Sequence, residues 1–236
     1  MFDRRKYKKY ARMQLKGRWS TPILMTLICC AIIMFLEAPD FKEFFTEYLN
    51  MMESSPSITQ NDGNFYSELR SFAALLIEYV ILYAQIFVYI KMSKSPEPVH
   101  FSDFVEGFNN WARGILAGLW ESLWTFLWSL LFIIPGIVKH YAYSQTKFLV
   151  TEFPNLSITK AMKISIAITN GHKADLFILD LSFIGWLFLS MIPCGAGLLW
   201  LVPYRELTLT NAFHSLLKDA VAVGMVTSDD LAGRYE

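Results

Sequence analysis

The chain has 236 residues, 54% of them hydrophobic and 18% charged, and its formal net charge is zero. Soluble domains run at about 45–50% apolar and about 25% charged, so the composition points to a lipid-embedded protein, and the zero balance excludes a partner chosen by total charge. Apolar runs of 16 to 20 residues recur along the chain; at about 1.5 Å per residue they match a hydrocarbon layer roughly 30 Å thick.

Residues 1–18 carry Arg4, Arg5, Lys6, Lys8, Lys9, Arg12, Lys16 and Arg18 against Asp3 alone, a basic amphipathic segment ahead of a first span at 20–36. Segment 37–70 is acidic, with Glu37, Asp40, Glu43, Glu47, Glu53, Asp62 and Glu68 against Lys42 and Arg70. Positive residues near spans stay cytoplasmic, which predicts a cytoplasmic N-terminus and an acidic outer loop at 37–70. A cleaved signal peptide fits less well: the apolar region is long, no small-x-small site follows at Glu37-Ala38-Pro39, and further spans come later.

A second span at 72–90 returns the chain to Lys91 and Lys94, and Ser95-Pro96-Glu97-Pro98 makes a turn. Phe101, Phe104, Val105, Phe108, Trp111 and Ala112 then recur at helical spacing, with Ser102 able to cap the start and Asp103 in the first turn. Such a helix lies in the membrane interface or packs on the other cytoplasmic segments; both readings stay open.

The third span, 115–134, ends at Ile133-Ile134-Pro135-Gly136. Residues 137–152 hold Lys139, His140 and Lys147, so hydropathy alone makes no span of them. Two arguments do: without a crossing Lys160, Lys163 and Lys173 would face outside, and Lys139, Tyr143 and Lys147 fall on one narrow stripe that can face a bundle interior. A helix from Ser157 follows, with Asn170-Gly171 as its stop. A fifth span at 174–192, a tight turn at Pro193-Cys194-Gly195-Ala196-Gly197, a sixth span at 198–214 and a polar cytoplasmic tail at 221–236, expected to be loosely ordered, complete the chain.

The fold this predicts is all-α: one six-helix membrane domain over 1–220, built as three hairpins, each preceded by a cytoplasmic amphipathic helix. The spacing agrees. Arg113 and Lys173 stand 60 positions apart, and Arg18 and Arg113 stand 61 apart once the 34 residues of the acidic loop are set aside. Internal repeats are common in transporters, but any hairpin with an interfacial helix takes about this length, so the equality speaks for architecture more than for transport.

The run Trp128-Ser129-Leu130-Leu131-Phe132-Ile133-Ile134-Pro135-Gly136-Ile137-Val138-Lys139, then Tyr141-Ala142-Tyr143-Ser144, Gly171-His172-Lys173 and Leu179-Asp180-Leu181-Ser182-Phe183-Ile184-Gly185-Trp186, resembles the bacterial integral membrane family catalogued as domain of unknown function 975. Leu15-Lys16-Gly17-Arg18-Trp19 and Pro203-Tyr204 fit it too, so the likeness spans nearly the whole chain. The departure is Lys147-Phe148-Leu149-Val150-Thr151-Glu152-Phe153-Pro154, where the family tends towards a small polar residue with Asp and Asn before the proline. More distantly the layout is similar to the membrane domain attached to some bacterial glycerophosphodiester phosphodiesterases. The resemblance implies a six-helix fold and carries over no activity, cofactor or catalytic residue.

Chemistry-bearing motifs are sparse. Cys29, Cys30 and Cys194 read as small packing residues; His100, His140, His172 and His214 have no ligand spacing. No phosphate loop, nucleophile elbow or nucleic-acid motif occurs. The expectation is a protein that is not an enzyme, with no catalytic, cofactor or metal site and no nucleic-acid partner. Gly114 and Gly118 form a Gly-x-x-x-Gly step that would let the third span approach a neighbour closely.

Charges within the spans are the informative polar feature, because an unpaired charge near the midplane costs about 2.5 kcal/mol or more. The candidate intramembrane network is Glu121, Lys147, Asp180, Arg205, Lys139 and Glu78. Glu121 and Lys147 both lie roughly 8 Å from the inner ends of their spans, which makes them expected partners. Two function classes follow: a non-enzymatic envelope component of the inner membrane that binds lipid or a protein partner, its basic faces on anionic headgroups, or a small permease or lipid translocator using the charged interior. Charges lining an open cavity favour the second, charges saturated in a closed bundle the first. In a cysteine-free variant, a cysteine at Ser57 is expected to react with an impermeant thiol reagent in intact cells and one at Ser157 to stay unlabelled; labelling at Ser157 would replace the six-span topology with an interfacial segment at 137–152.

Overall fold

The computed structural model describes residues 2–52, 65–193, 195–227 and 229–231; Ser57, the centre of segment 37–70 and Cys194 lie outside them. Helix accounts for 82% of the described residues, and no strand occurs among them. In chain order the α-helices are α1 Arg4–Leu15, α2 Ser20–Met52, α3 Phe65–Lys94, α4 Phe101–Gly107, α5 Trp111–Leu131, α6 Ile133–Tyr143, α7 Thr146–Glu152, α8 Ile158–Ile168, α9 Lys173–Met191 and α10 Leu198–Ala222.

Local chemistry sets most of the boundaries. The Asp3 carboxylate accepts from the backbone N–H of Arg5 and Lys6 at 3.0 and 3.2 Å and starts α1. Gly17 and Gly171, at φ 77° and 81°, follow α1 and α8 in the left-handed conformation that side chains resist, and each hands the chain to a long apolar helix. At the first of these joints α1 and Ser20–Leu36 meet at 99°, the angle a helix lying in an interface makes with one crossing the layer. No such glycine stands between α4 and α5; a short 3-10 turn at Phe108–Asn110 bridges them, and helix runs from Phe101 to Leu131. The second amphipathic segment therefore continues into its apolar helix instead of lying apart. Its start is capped by Asp103, whose Oδ2 accepts from the His100 amide at 2.8 Å while Oδ1 meets Lys91 Nζ at 2.7 Å; Ser102 has no part in it. Ser157 stands at the N-cap of α8 without a side-chain hydrogen bond.

Three helices among the described residues are long and apolar enough to cross a membrane, Glu68–Lys94, Phe101–Leu131 and Lys173–Met191, and α1 with Ser20–Leu36 makes a fourth if the bent pair is one span. The segments expected to span at 137–152 and 198–214 do not meet that measure. The first breaks at Ser144 and Gln145 into α6 and α7, and the second carries Arg205 and Glu206 one after the other. Helix also outlasts the apolar runs: α2 continues to Met52 through part of the acidic segment, and Pro39 within it does not end the helix. The apolar surface faces outward, with Leu130, Phe132, Ile133 and Ile134 at 66–78% exposure around the α5–α6 tip and Phe188 and Ile192 at 67% and 76% near the end of α9. A patch of that extent is one that a membrane or another protein covers.

The tight core lies at the other end, where the basic helices gather. Tyr7 Oη donates to Ser215 at 3.0 Å and Gln14 exchanges hydrogen bonds with Asn211, tying α1 to α10. Phe148, Leu149 and Val150 of α7 are buried between α3, α5 and α8. The described part of the tail packs on the bundle: Val226 and Leu231 bury in this core, and Asp230 pairs with Lys160 at 3.2 Å. Hydrogen bonds from the Thr227 hydroxyl and amide, with Lys160 beside them, pull the Asp230 carboxyl down to about 2, so this anchor stays ionised at ordinary pH and is lost only as pH falls through that value.

The Gly114 and Gly118 step packs α5 on α3. A Cβ at Gly114 would stand 2.9 Å from Tyr83 Cγ, and one at Gly118 would enter the Tyr79 ring. Tyr79 and Tyr83 are themselves one turn apart, so two rings lie over two glycines. Gly118→Val is expected to lower stability by about 1–3 kcal/mol through overpacking, read as a fall in thermal midpoint in detergent, with Gly185→Val, where a Cβ meets open space, changing it little.

Candidate functional site

Helical spacing builds one polar face on each of several helices. On α3 it is Tyr79, Leu82 and Tyr83; on α5 Gly118, Glu121, Ser122, Thr125 and Ser129; on α9 Leu176 and Asp180; on α10 Arg205 and Leu209. These faces and the α6–α7 joint, through His140, Tyr141, Ser144, Gln145, Lys147 and Phe148, enclose a cavity of about 450 Å³. The joint exists because α8 satisfies the backbone that the break frees. Ser165 Oγ accepts from the Gln145 amide at 3.2 Å and donates to the Ala142 carbonyl at 2.8 Å, so the chain can turn inside the bundle without stranding those groups.

Arg205 organises the charges. Its Nη2 donates to Asp180 Oδ1 at 2.8 Å and its Nη1 to Glu206 Oε1 at 2.6 Å; Lys147 Nζ stands 3.6 Å from Glu206 Oε2. Glu121 has no ion-pair or hydrogen-bond partner among the described residues and is only partly buried; Lys147 is the cation whose field reaches it. The expected Glu121–Lys147 pair is thus replaced by Lys147–Glu206. Matched depth places two side chains at one level of the layer and leaves their direction around the helix open, and Lys147 is turned towards α10.

Four of the six candidate residues, Glu121, Lys147, Asp180 and Arg205, line the cavity. Lys139 lies instead over the Trp128 ring, 4.4 Å from its centroid, and Glu78, one residue before Tyr79 on α3, is not part of the wall. Three further wall residues carry buried polar atoms without a hydrogen-bond partner: Tyr83 Oη, Thr125 Oγ1 and Gln145 Oε1. A second cluster, outside the sequence-derived network, lies at the basic end, where Glu152, its side chain 4% exposed, takes Lys94 Nζ at 2.6 Å and His214 Nε2 at 2.9 Å and clamps α3, α7 and α10. Its sequence signal is a carboxylate at the end of a predicted span, level with a lysine and a histidine that close two others. Among the described residues no group of His, Cys, Asp and Glu is placed to hold a metal ion.

Beside the cavity runs an apolar groove of about 440 Å³ between α9 and α10, with Phe177, Leu181, Ile184 and Leu187 along one side and Leu198 and Val202 on the other. His140, Tyr141, Asp180 and Arg205 belong to both hollows.

Fold and surface together define an all-α membrane protein with a charged interior. Residues 132–220 match the family described as Protein of unknown function (DUF975), the family that the sequence resembles. The matched stretch contains Lys147, Asp180, Arg205 and Glu206, while Glu121 precedes it. The more distant likeness to the membrane domain of glycerophosphodiester phosphodiesterases is not shown, and no curated protein or solved structure matches the chain.

A double-mutant cycle separates the two carboxylates near Lys147. Lys147→Met with Glu206→Gln is expected to show a coupling of about 1 kcal/mol or more in detergent thermal or chemical unfolding, and Lys147→Met with Glu121→Gln a smaller one. Equal couplings would make Lys147 a shared counter-ion.

Proposed function

We propose that this protein is a non-enzymatic lipid-binding component of the bacterial inner membrane, which takes a lipid headgroup into the charged cavity and one acyl chain into the groove beside it. The observation that carries this reading is the shared wall of His140, Tyr141, Asp180 and Arg205. It joins a polar hollow to an apolar one, the two-part shape of a lipid, on a surface that already faces hydrocarbon. In this reading the chain crosses the bilayer six times with both termini in the cytoplasm, and α6 with α7 and α10 complete the hairpins inside the bundle, their charges paired rather than exposed to lipid. The basic faces at Arg4, Arg5, Lys160 and Lys163 rest on anionic headgroups, and the same faces are the natural contact for a protein partner.

The second reading, a lipid translocator or small permease, draws on the same cavity, since charges lining an open space are what movement of a polar group across the layer requires. The two differ in outcome. A lipid-binding protein leaves the rate of lipid flipping in proteoliposomes unchanged; acceleration that Asp180→Asn abolishes in a folded protein would favour the translocator.

Filling the groove tests the lipid site itself. Ile184→Trp is expected to lower the phospholipid that copurifies with the protein by roughly half or more, measured by quantitative mass spectrometry. Phe188→Trp, on the outward surface, should leave it unchanged. Equal lipid content in both variants would remove the groove from the reading.

A further inference from the structure

We propose that the cavity receives an amine-bearing cationic group, with Glu121 as its counter-ion. This deepens the reading of the cavity as a binding site and rests on it. Two carboxylates, Glu121 and Asp180, line the cavity with two permanent cations, Lys147 and Arg205, and a third carboxylate, Glu206, pairs with both cations. Arg205 is committed to Asp180 and Glu206, and Lys147 is drawn to Glu206. The carboxylate left over is Glu121, which lines the cavity and has no ion-pair or hydrogen-bond partner among the described residues. An isolated carboxylate in a hollow within hydrocarbon favours a cation as occupant, and an anion would find both guanidinium and ammonium already engaged.

The neutral atoms of the wall narrow the class of cation. Gln145, 2% exposed, presents Oε1, an atom that only accepts, without a donor; Tyr83, 6% exposed, has an unpartnered Oη, and Thr125 an unpartnered Oγ1. They stand on three separate walls, the α6–α7 joint, α3 and α5, and each oxygen accepts a hydrogen bond. A primary ammonium has three N–H donors and suits such a wall. A quaternary ammonium has none and would leave every one of these oxygens unsatisfied.

The ammonium could come from an aminophospholipid or from a free amine, and the test has an arm for each. The purified full-length chain is titrated in detergent with isotope-labelled ethanolamine, and separately reconstituted in nanodiscs containing phosphatidylethanolamine, phosphatidylcholine or phosphatidylglycerol, with bound lipid read by native mass spectrometry. Wild type is expected to bind ethanolamine and to retain phosphatidylethanolamine over phosphatidylcholine. Glu121→Gln, shown folded by its thermal transition, should weaken both by about tenfold or more, the scale of a charge-assisted hydrogen bond. Tyr83→Phe, which keeps every charge, should weaken both by a smaller factor and guards against a Glu121 variant that fails to fold. Ethanolamine binding that depends on Glu121, without lipid preference, keeps the amine site and removes the lipid. Retention of all three lipids alike, untouched by Glu121→Gln, keeps the lipid reading and overturns the amine. Displacement of ethanolamine by equimolar potassium, or no binding of either probe, also overturns it.

Discussion

A guanidinium inside an apolar layer cannot be left alone, and Arg205 fixes how the second half of this protein assembles. Its two arms reach Asp180 on α9 and Glu206 on its own helix, at 2.8 and 2.6 Å, so α9 and α10 must lie side by side with those turns level. Glu206 in turn holds Lys147 of α7, which draws the short buried helix towards α10. Removing any one of these groups would strand another, because a charge pair in such surroundings is maintained by the cost of breaking it more than by net attraction. Packing then follows the ions: Phe148 stacks on Phe213, with ring centroids 5.2 Å apart, just beyond the charged layer.

Sequence periodicity recovered the parts of the fold that depend on neighbouring residues. The all-helical class, the basic amphipathic helices, the long apolar helices and the glycine stop at Gly171 all follow from spacing, sign of charge and backbone freedom; the joint at Gly17 is seen only in the structure. The break between α6 and α7 does not. Nothing in Tyr143-Ser144-Gln145-Thr146 is a strong breaker, and the turn is stable because Ser165, twenty residues later, accepts from one side of it and donates to the other. That partnership is tertiary. The described part of the tail is similar: Val226 closes the apolar run from Val221 and Leu231 stands among polar residues, and only the core that receives them sets these two apart.

The candidate site was legible to the same extent. An unpaired charge in an apolar run announces itself, so Glu121, Lys147, Asp180 and Arg205 could be named, and the structure brings them around one cavity. Their pairing could not be read, since depth is one coordinate of three. Lys139 shows the limit: one turn of the same stripe separates it from Tyr143, yet the break in the helix lets it turn to Trp128 while Lys147 turns inward. Gln145, Tyr83 and Thr125 escaped notice because neutral polar residues are common in membrane helices, and only the absence of partners marks them.

The α5–α6 tip has a consequence for how the protein enters its membrane. From Ser122 to Val138 there is no ionisable side chain, and Gly136 seats its backbone against Ser129 to close the bend. Driving this tip through the bilayer therefore moves no charge across the electric field, and the membrane potential does no work on it in either direction. Under the six-span reading proposed above, the direction of entry would fall to the cations that lie outside the tip. Hydrocarbon alone supplies the pull.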